Sequence, residues 1–60
     1  MKSKIIVRYY PLSPIANNVN FTLMEGNYII ASGSFTSIEE CERILNKYFP
    51  DVSTEYLTIL

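Results

Sequence analysis

Few side chains of this sequence could do covalent or acid–base chemistry. The 60 residues include no histidine, and Cys41 is the single cysteine. Histidine is the side chain that general acid–base catalysis recruits most often. Cys41 falls in an apolar helical stripe, where cysteine behaves as a small buried residue. We therefore predict that the chain is not an enzyme.

Three carboxylates beside Cys41 are the nearest approach to a metal site. They belong to Glu39, Glu40 and Glu42. Neighbouring helical positions point in different directions, so these side chains are expected to be solvated rather than convergent. A structural zinc site needs four cysteine or histidine ligands, which this chain cannot supply. We predict no metal and no cofactor.

A second chemistry is suggested by five tyrosines and three phenylalanines. Aromatic side chains on a sheet can stack bases of single-stranded nucleic acid, and nearby cations bind its phosphates. Lys4, Arg8 and Tyr10 are the candidate contacts. The formal net charge of −1 argues against a general nucleic-acid binder. Nucleic-acid binding therefore stands as an alternative function.

The elements that would position these residues follow from the spacing of apolar and turn residues. Alternating β-branched and aromatic residues predict strands at 4–12, 19–25, 28–35 and 54–60. An apolar stripe at helical spacing predicts a helix at 37–48. The chain is thus predicted to be a single α+β domain, 1–60, with element order β-β-β-α-β. One helix would cover one face of a four-stranded, mostly antiparallel sheet.

Gly26-Asn27 between the second and third strands is a strong signal for a two-residue hairpin. Such a loop fixes the register, and residues directly opposite share a face. The pairs expected on one face are Glu25 with Tyr28, Leu23 with Ile30 and Phe21 with Ser32. Those expected on the other face are Met24 with Ile29, Thr22 with Ala31 and Asn20 with Gly33.

The helix has two possible N-terminal caps. Thr36 with Glu39 forms a capping box, and Ser37 with Glu40 repeats the pattern one residue later. At the other end, Pro50 disfavours helical geometry at the preceding residue and closes the helix.

One helix leaves one sheet face uncovered, and the predicted register places five large apolar side chains there. They are Val19, Phe21, Leu23, Tyr28 and Ile30. An exposed patch of this size is unusual in a monomer. We predict that this face is an interface, either between two copies in a homodimer or with another protein. The alternative is that the two sheet faces are reversed and the helix covers this one.

The composition supports self-association. Hydrophobic residues make up 48% of a chain that has no second cysteine for a disulfide. Domains this small need additional stabilisation, and oligomerisation is the means that remains. The lone cysteine, the absence of a signal peptide and the short apolar runs predict a cytoplasmic protein without a membrane span. If the chain is viral, the compartment would be the host cell cytoplasm.

The run of hairpin, helix and strand from 19 to 60 loosely resembles the small phage-encoded inhibitors of uracil-DNA glycosylase. The resemblance lies in element order and chain length and carries no residue roles. Separately, small autonomous proteins of this kind are often encoded by viruses or mobile elements, so an inhibitor of a host protein is the expectation. The predicted function is therefore a small non-enzymatic protein-binding module, working as a homodimer, with single-stranded nucleic-acid binding and glycosylase inhibition as alternatives.

Overall fold

The computed structural model describes residues 2–60. It contains four strands and one helix in the predicted order, which confirms the α+β class. The elements are β1 (Ser3–Tyr9), β2 (Val19–Glu25), β3 (Tyr28–Phe35), α1 (Ile38–Tyr48) and β4 (Ser53–Thr58).

The bounds of two strands, β1 and β4, differ from the prediction at both ends. β1 ends at Tyr9 instead of residue 12, because the chain turns at Pro11 and the amide of Ser13 donates to the carbonyl of Tyr10 at 3.1 Å. β4 begins at Ser53 and ends at Thr58. Beyond it, the Ile59 amide still donates to the Tyr9 carbonyl at 2.8 Å.

The sheet has the strand order β3-β2-β1-β4. β2 pairs antiparallel with both β1 and β3, whereas β4 pairs parallel with β1. The sheet is therefore mixed and mostly antiparallel, as predicted. The parallel pair arises because α1 carries the chain from one edge of the sheet to the other, and a parallel pair needs such a crossover.

The hairpin between β2 and β3 has the predicted two-residue turn. Gly26 has φ of 63°, and Asn27 has no positive φ, which matches a type II′ turn with glycine first. The pairs next to the turn, Glu25 with Tyr28 and Met24 with Ile29, are those predicted.

Beyond these two pairs the predicted register is wrong. Leu23 pairs with Ala31 instead of Ile30, because a β-bulge leaves one extra residue in β3. The shift continues along the ladder. Phe21 pairs with Gly33, Thr22 with Ser32, Asn20 with Ser34 and Val19 with Phe35. A one-residue slip reverses the face of every later side chain in a strand.

The helix uses the second of the two predicted caps. Ser37 has extended backbone geometry, and its hydroxyl oxygen accepts a hydrogen bond from the Glu40 amide at 3.2 Å. At the C-terminal end, the Phe49 amide donates to the Leu45 carbonyl at 2.8 Å. Phe49 is the C-terminal cap, directly before Pro50.

The core lies between α1 and one face of the sheet. It consists of six buried side chains, those of Ile5, Val7, Val19, Leu23, Cys41 and Leu45. Burying a large aliphatic side chain contributes roughly 1.5–3 kcal/mol to stability. The core is small, and a rim of partly buried aromatic and aliphatic residues packs against it.

Candidate protein-binding edge of the sheet

The five predicted interface residues are divided by the β-bulge. Val19 is 0% exposed and Leu23 is 6% exposed, so both belong to the core beneath α1. Phe21 packs against the same core and stacks on Phe35 with ring centroids 5.7 Å apart. The prediction of one continuous, uncovered patch is therefore wrong, because the bulge puts the apolar row of β2 on the helix-covered face.

The other two predicted residues are exposed. Tyr28 is 75% exposed and Ile30 is 53% exposed. Ile29 between them is 66% exposed, so three consecutive large apolar side chains project at the start of β3. Ile29 was not among the predicted interface residues. The signal that could have found it is the uninterrupted apolar run directly after a hairpin turn.

β3 is one edge of the sheet, and its outer side pairs with no strand in residues 2–60. An edge strand presents unpaired N–H and C=O groups to any extended chain that approaches it. Charged side chains and proline usually protect such an edge from pairing with another chain. The eight residues of β3 include neither. The opposite edge, β4, is shorter and carries Glu55.

The bulge and a glycine shape this edge. A bulge makes a strand bend and interrupts regular pairing, so the regular part of β3 extends from Ala31 to Phe35. A Cβ atom on Gly33 would lie 2.8 Å from Cε1 of Phe21, which shows that the Phe21 ring covers this residue. Gly33 thus packs against the Phe21 ring on one face, in an edge strand whose outer side pairs with no strand in residues 2–60.

Two of the three candidate nucleic-acid contacts, Lys4 and Arg8, lie on the open face, defined as the sheet face that α1 does not cover. In β1, Lys4 and Arg8 alternate with the buried Ile5 and Val7, which directs them to this face. The Lys4 ammonium forms an ion pair with Glu55 Oε2 at 3.4 Å. Lys4 is therefore compensated by a carboxylate on the same face.

The third candidate, Tyr10, lies outside the strands. Its amide donates to the Asn18 carbonyl at 2.9 Å, and its carbonyl accepts from the Asn18 side-chain amide at 3.1 Å. These bonds fix the base of the loop between β1 and β2. The register places every aromatic residue of the strands on the helix-covered side: Tyr9, Phe21, Tyr28, Phe35 and Tyr56. The open face within the strands thus offers no aromatic platform on which bases could stack.

Cys41 is fully buried, and burial together with the nearby Glu42 carboxylate raises the pKa of its thiol. A raised pKa keeps the sulfur in its protonated, weakly nucleophilic form. Tyr56 of β4 lies close to the same two groups. Desolvation raises the pKa of its phenol, and the charges of Glu42 and Cys41 raise it further.

A shallow depression of about 230 Å³ lies at the N-terminus of α1. It is lined by Tyr9, Asn18, Thr36, Ser37, Ile38 and Glu39. Within residues 2–60, no buried side-chain polar atom lacks a hydrogen-bond partner.

The chain was compared with protein families, curated proteins and solved structures. No family model, curated protein or solved structure matches this chain. The resemblance to the glycosylase inhibitors thus rests on element order and length alone. In the described part of the chain, no helix is both long and apolar enough to span a membrane.

Proposed function

We propose that this chain is a small non-enzymatic protein-binding module whose binding element is the outer edge of β3. The observation that carries the proposal is the edge itself, an eight-residue strand without charge or proline. An extended segment that adds to such an edge gains main-chain hydrogen bonds, and alternate side chains give specificity. An inhibitor that binds a host protein would use the same element.

The apolar start of β3 supplies anchors for this binding. Tyr28, Ile29 and Ile30 all remain more than half exposed. Aromatic anchors that become desolvated carry much of the energy of protein interfaces, and truncating one costs about 2 kcal/mol or more. Tyr28 is the strongest anchor by this argument, because it is the aromatic residue of the three and has the largest exposed fraction.

The proposal is tested by affinity capture from a lysate of the source organism, with purified chain as bait. Tyr28→Ser is the test variant, and Tyr48→Ser on α1 is its matched control, since that tyrosine is 63% exposed and lies away from the edge. We expect a protein that is recovered with the wild type and the control and is lost with Tyr28→Ser. Recovery that is the same for all three baits, or no recovered protein, would contradict the proposal.

A further inference from the structure

We propose that the partner at the β3 edge is a second copy of this chain, joined β3 to β3 in antiparallel orientation around a two-fold axis at Gly33. This inference rests on the proposed function in using the same edge: the dimer pairs Ala31 to Phe35 and leaves Tyr28, Ile29 and Ile30 outside the paired segment for another protein. The result is a continuous eight-stranded sheet with β4 at each outer edge. A two-fold axis perpendicular to the sheet keeps both helices on the same face.

The bulge determines the register. Because pairing is interrupted at Ile30, the regular part of β3 is the five residues from Ala31 to Phe35. Only a two-fold axis through the middle residue pairs all five. Gly33 then lies opposite the partner's Gly33, Ser32 lies opposite the partner's Ser34, and Ala31 lies opposite the partner's Phe35.

The side chains fit this register on both faces. Ser32 and Ser34 pair with Thr22 and Asn20, so they lie on the open face, where two hydroxyls can hydrogen-bond across the new strand pair. On the helix-covered face, the small side chain of Ala31 lies opposite a large aromatic ring. Small side chains facing large ones fill space without overlap.

Charge favours a second copy at β3 and disfavours one at β4. β3 has no charged residue, so two copies approach each other without bringing like charges together. A β4–β4 pair in register at Glu55 would place two carboxylates directly opposite each other, where like charges destabilise. A β3–β3 pair also closes after two copies. Pairing β3 with the partner's β4 would instead repeat head to tail and continue into an open chain of subunits.

The small size of the core also favours a second copy of the chain as the partner at β3. Only six side chains are buried in the described chain, and small domains commonly gain the missing stability by oligomerising. The helix covers the β2 and β3 part of the sheet, where α1 contacts both strands. Pairing at β3 therefore extends the sheet next to the existing core.

Sedimentation equilibrium of the full chain tests the dimer, and charged substitutions at positions that face each other across the strand pair test its register. Ser32→Glu/Ser34→Glu places a carboxylate opposite a carboxylate twice, and Ser32→Lys/Ser34→Lys does the same with ammonium groups. We expect the wild type to dimerise and each double variant to dimerise about tenfold or more weakly. An equimolar mixture of the two variants should recover association, because every introduced charge then faces its opposite. Ser53→Glu on β4, an exposed serine of the other edge strand, should leave the dimer unchanged.

A second measurement needs no variant. Ala31 and Phe35 are about 13 Å apart along one extended strand, too far for a nuclear Overhauser effect. In a mixed sample of isotope-labelled and unlabelled chain, we expect such an effect between the Ala31 methyl and the partner's Phe35 ring. This readout also decides the register if a double variant fails to fold.

The outcomes separate this inference from the proposed function. A wild type that stays monomeric at millimolar concentration, a folded double-Glu variant that dimerises as well as wild type, or a mixture that does not recover association would overturn the dimer. If capture still depends on Tyr28 in that case, the binding module stands without the dimer. If the dimer forms and no other protein is captured, the dimer stands without the wider function.

Discussion

At the scale of the residue, the Phe21 ring limits the size of the side chain that position 33 can accept. We expect Gly33→Ala to destabilise the chain by about 1 kcal/mol, because the added methyl enters the space of the Phe21 ring and overpacks it. Urea unfolding measures this cost. Ser53→Ala, at an exposed serine of β4 away from the β3 edge, is the control and should change stability by less than about 0.5 kcal/mol. Equal stability of both variants would show that the ring moves aside freely.

At the same scale, the Cys41 and Tyr56 side chains link stability to alkaline pH. Burial and the Glu42 carboxylate raise the pKa of the thiol above its ordinary 9.0 and that of the phenol above its ordinary 10.0. The folded chain therefore holds both protons more tightly than the unfolded chain. This contribution to stability is fully present below the ordinary values and is lost as the pH rises through the raised values.

We accordingly expect the urea midpoint to fall as the pH is raised above 9.0. Glu42→Gln should reduce this fall, since Glu42 raises the pKa of both groups. Glu39→Gln, an exposed position on the same helix, is the control and should retain the wild-type profile. A fall that is the same in all three chains would exclude Glu42 as a cause and leave burial alone to raise the two pKa values.

At the scale of the element, the start of α1 tests which of two adjacent residues caps the helix. The Ser37 hydroxyl accepts the Glu40 amide, so Ser37→Ala should cost about 1 kcal/mol in the free energy of unfolding. Thr36→Ala removes the hydroxyl of the alternative cap and should cost less than about 0.5 kcal/mol. Thermal or urea unfolding of the two variants decides between the caps. A larger effect at Thr36 would mean that the helix begins one residue earlier in solution.

At the scale of the whole molecule, the distribution of charge argues against nucleic-acid binding. Lys4 forms an ion pair with Glu55. For Arg8, the other cation of the open face in β1, the structure shows no ion pair within residues 2–60. Affinity for single strands rises with the number of phosphates neutralised. We expect fluorescence anisotropy at low salt to show no binding of single-stranded oligonucleotides to the wild type. Binding that Arg8→Gln abolishes and added salt weakens steeply would restore the alternative function.

The sequence by itself determined the elements and their order, because the signals for them are local. Apolar alternation marked the strands, helical spacing marked α1, and Gly26-Asn27 marked the hairpin. The N-terminal cap remained open between Thr36 and Ser37, because both residues offer the same hydroxyl at the same spacing from a glutamate. Only the extended backbone of Ser37 decided between them.

The tertiary structure alone decided which face each strand buries. The prediction of a regular ladder followed from the two-residue turn, and its first two pairs are present. No local signal marks the bulge at Ile30, since isoleucine is an ordinary strand residue. The bulge arises where β3 must turn Ala31 and Gly33 toward the helix side, beside Leu23 and Phe21. Burial of the β2 row under α1 is a long-range effect, so the sequence predicted Tyr28 and Ile30 as surface residues but misplaced Val19, Phe21 and Leu23.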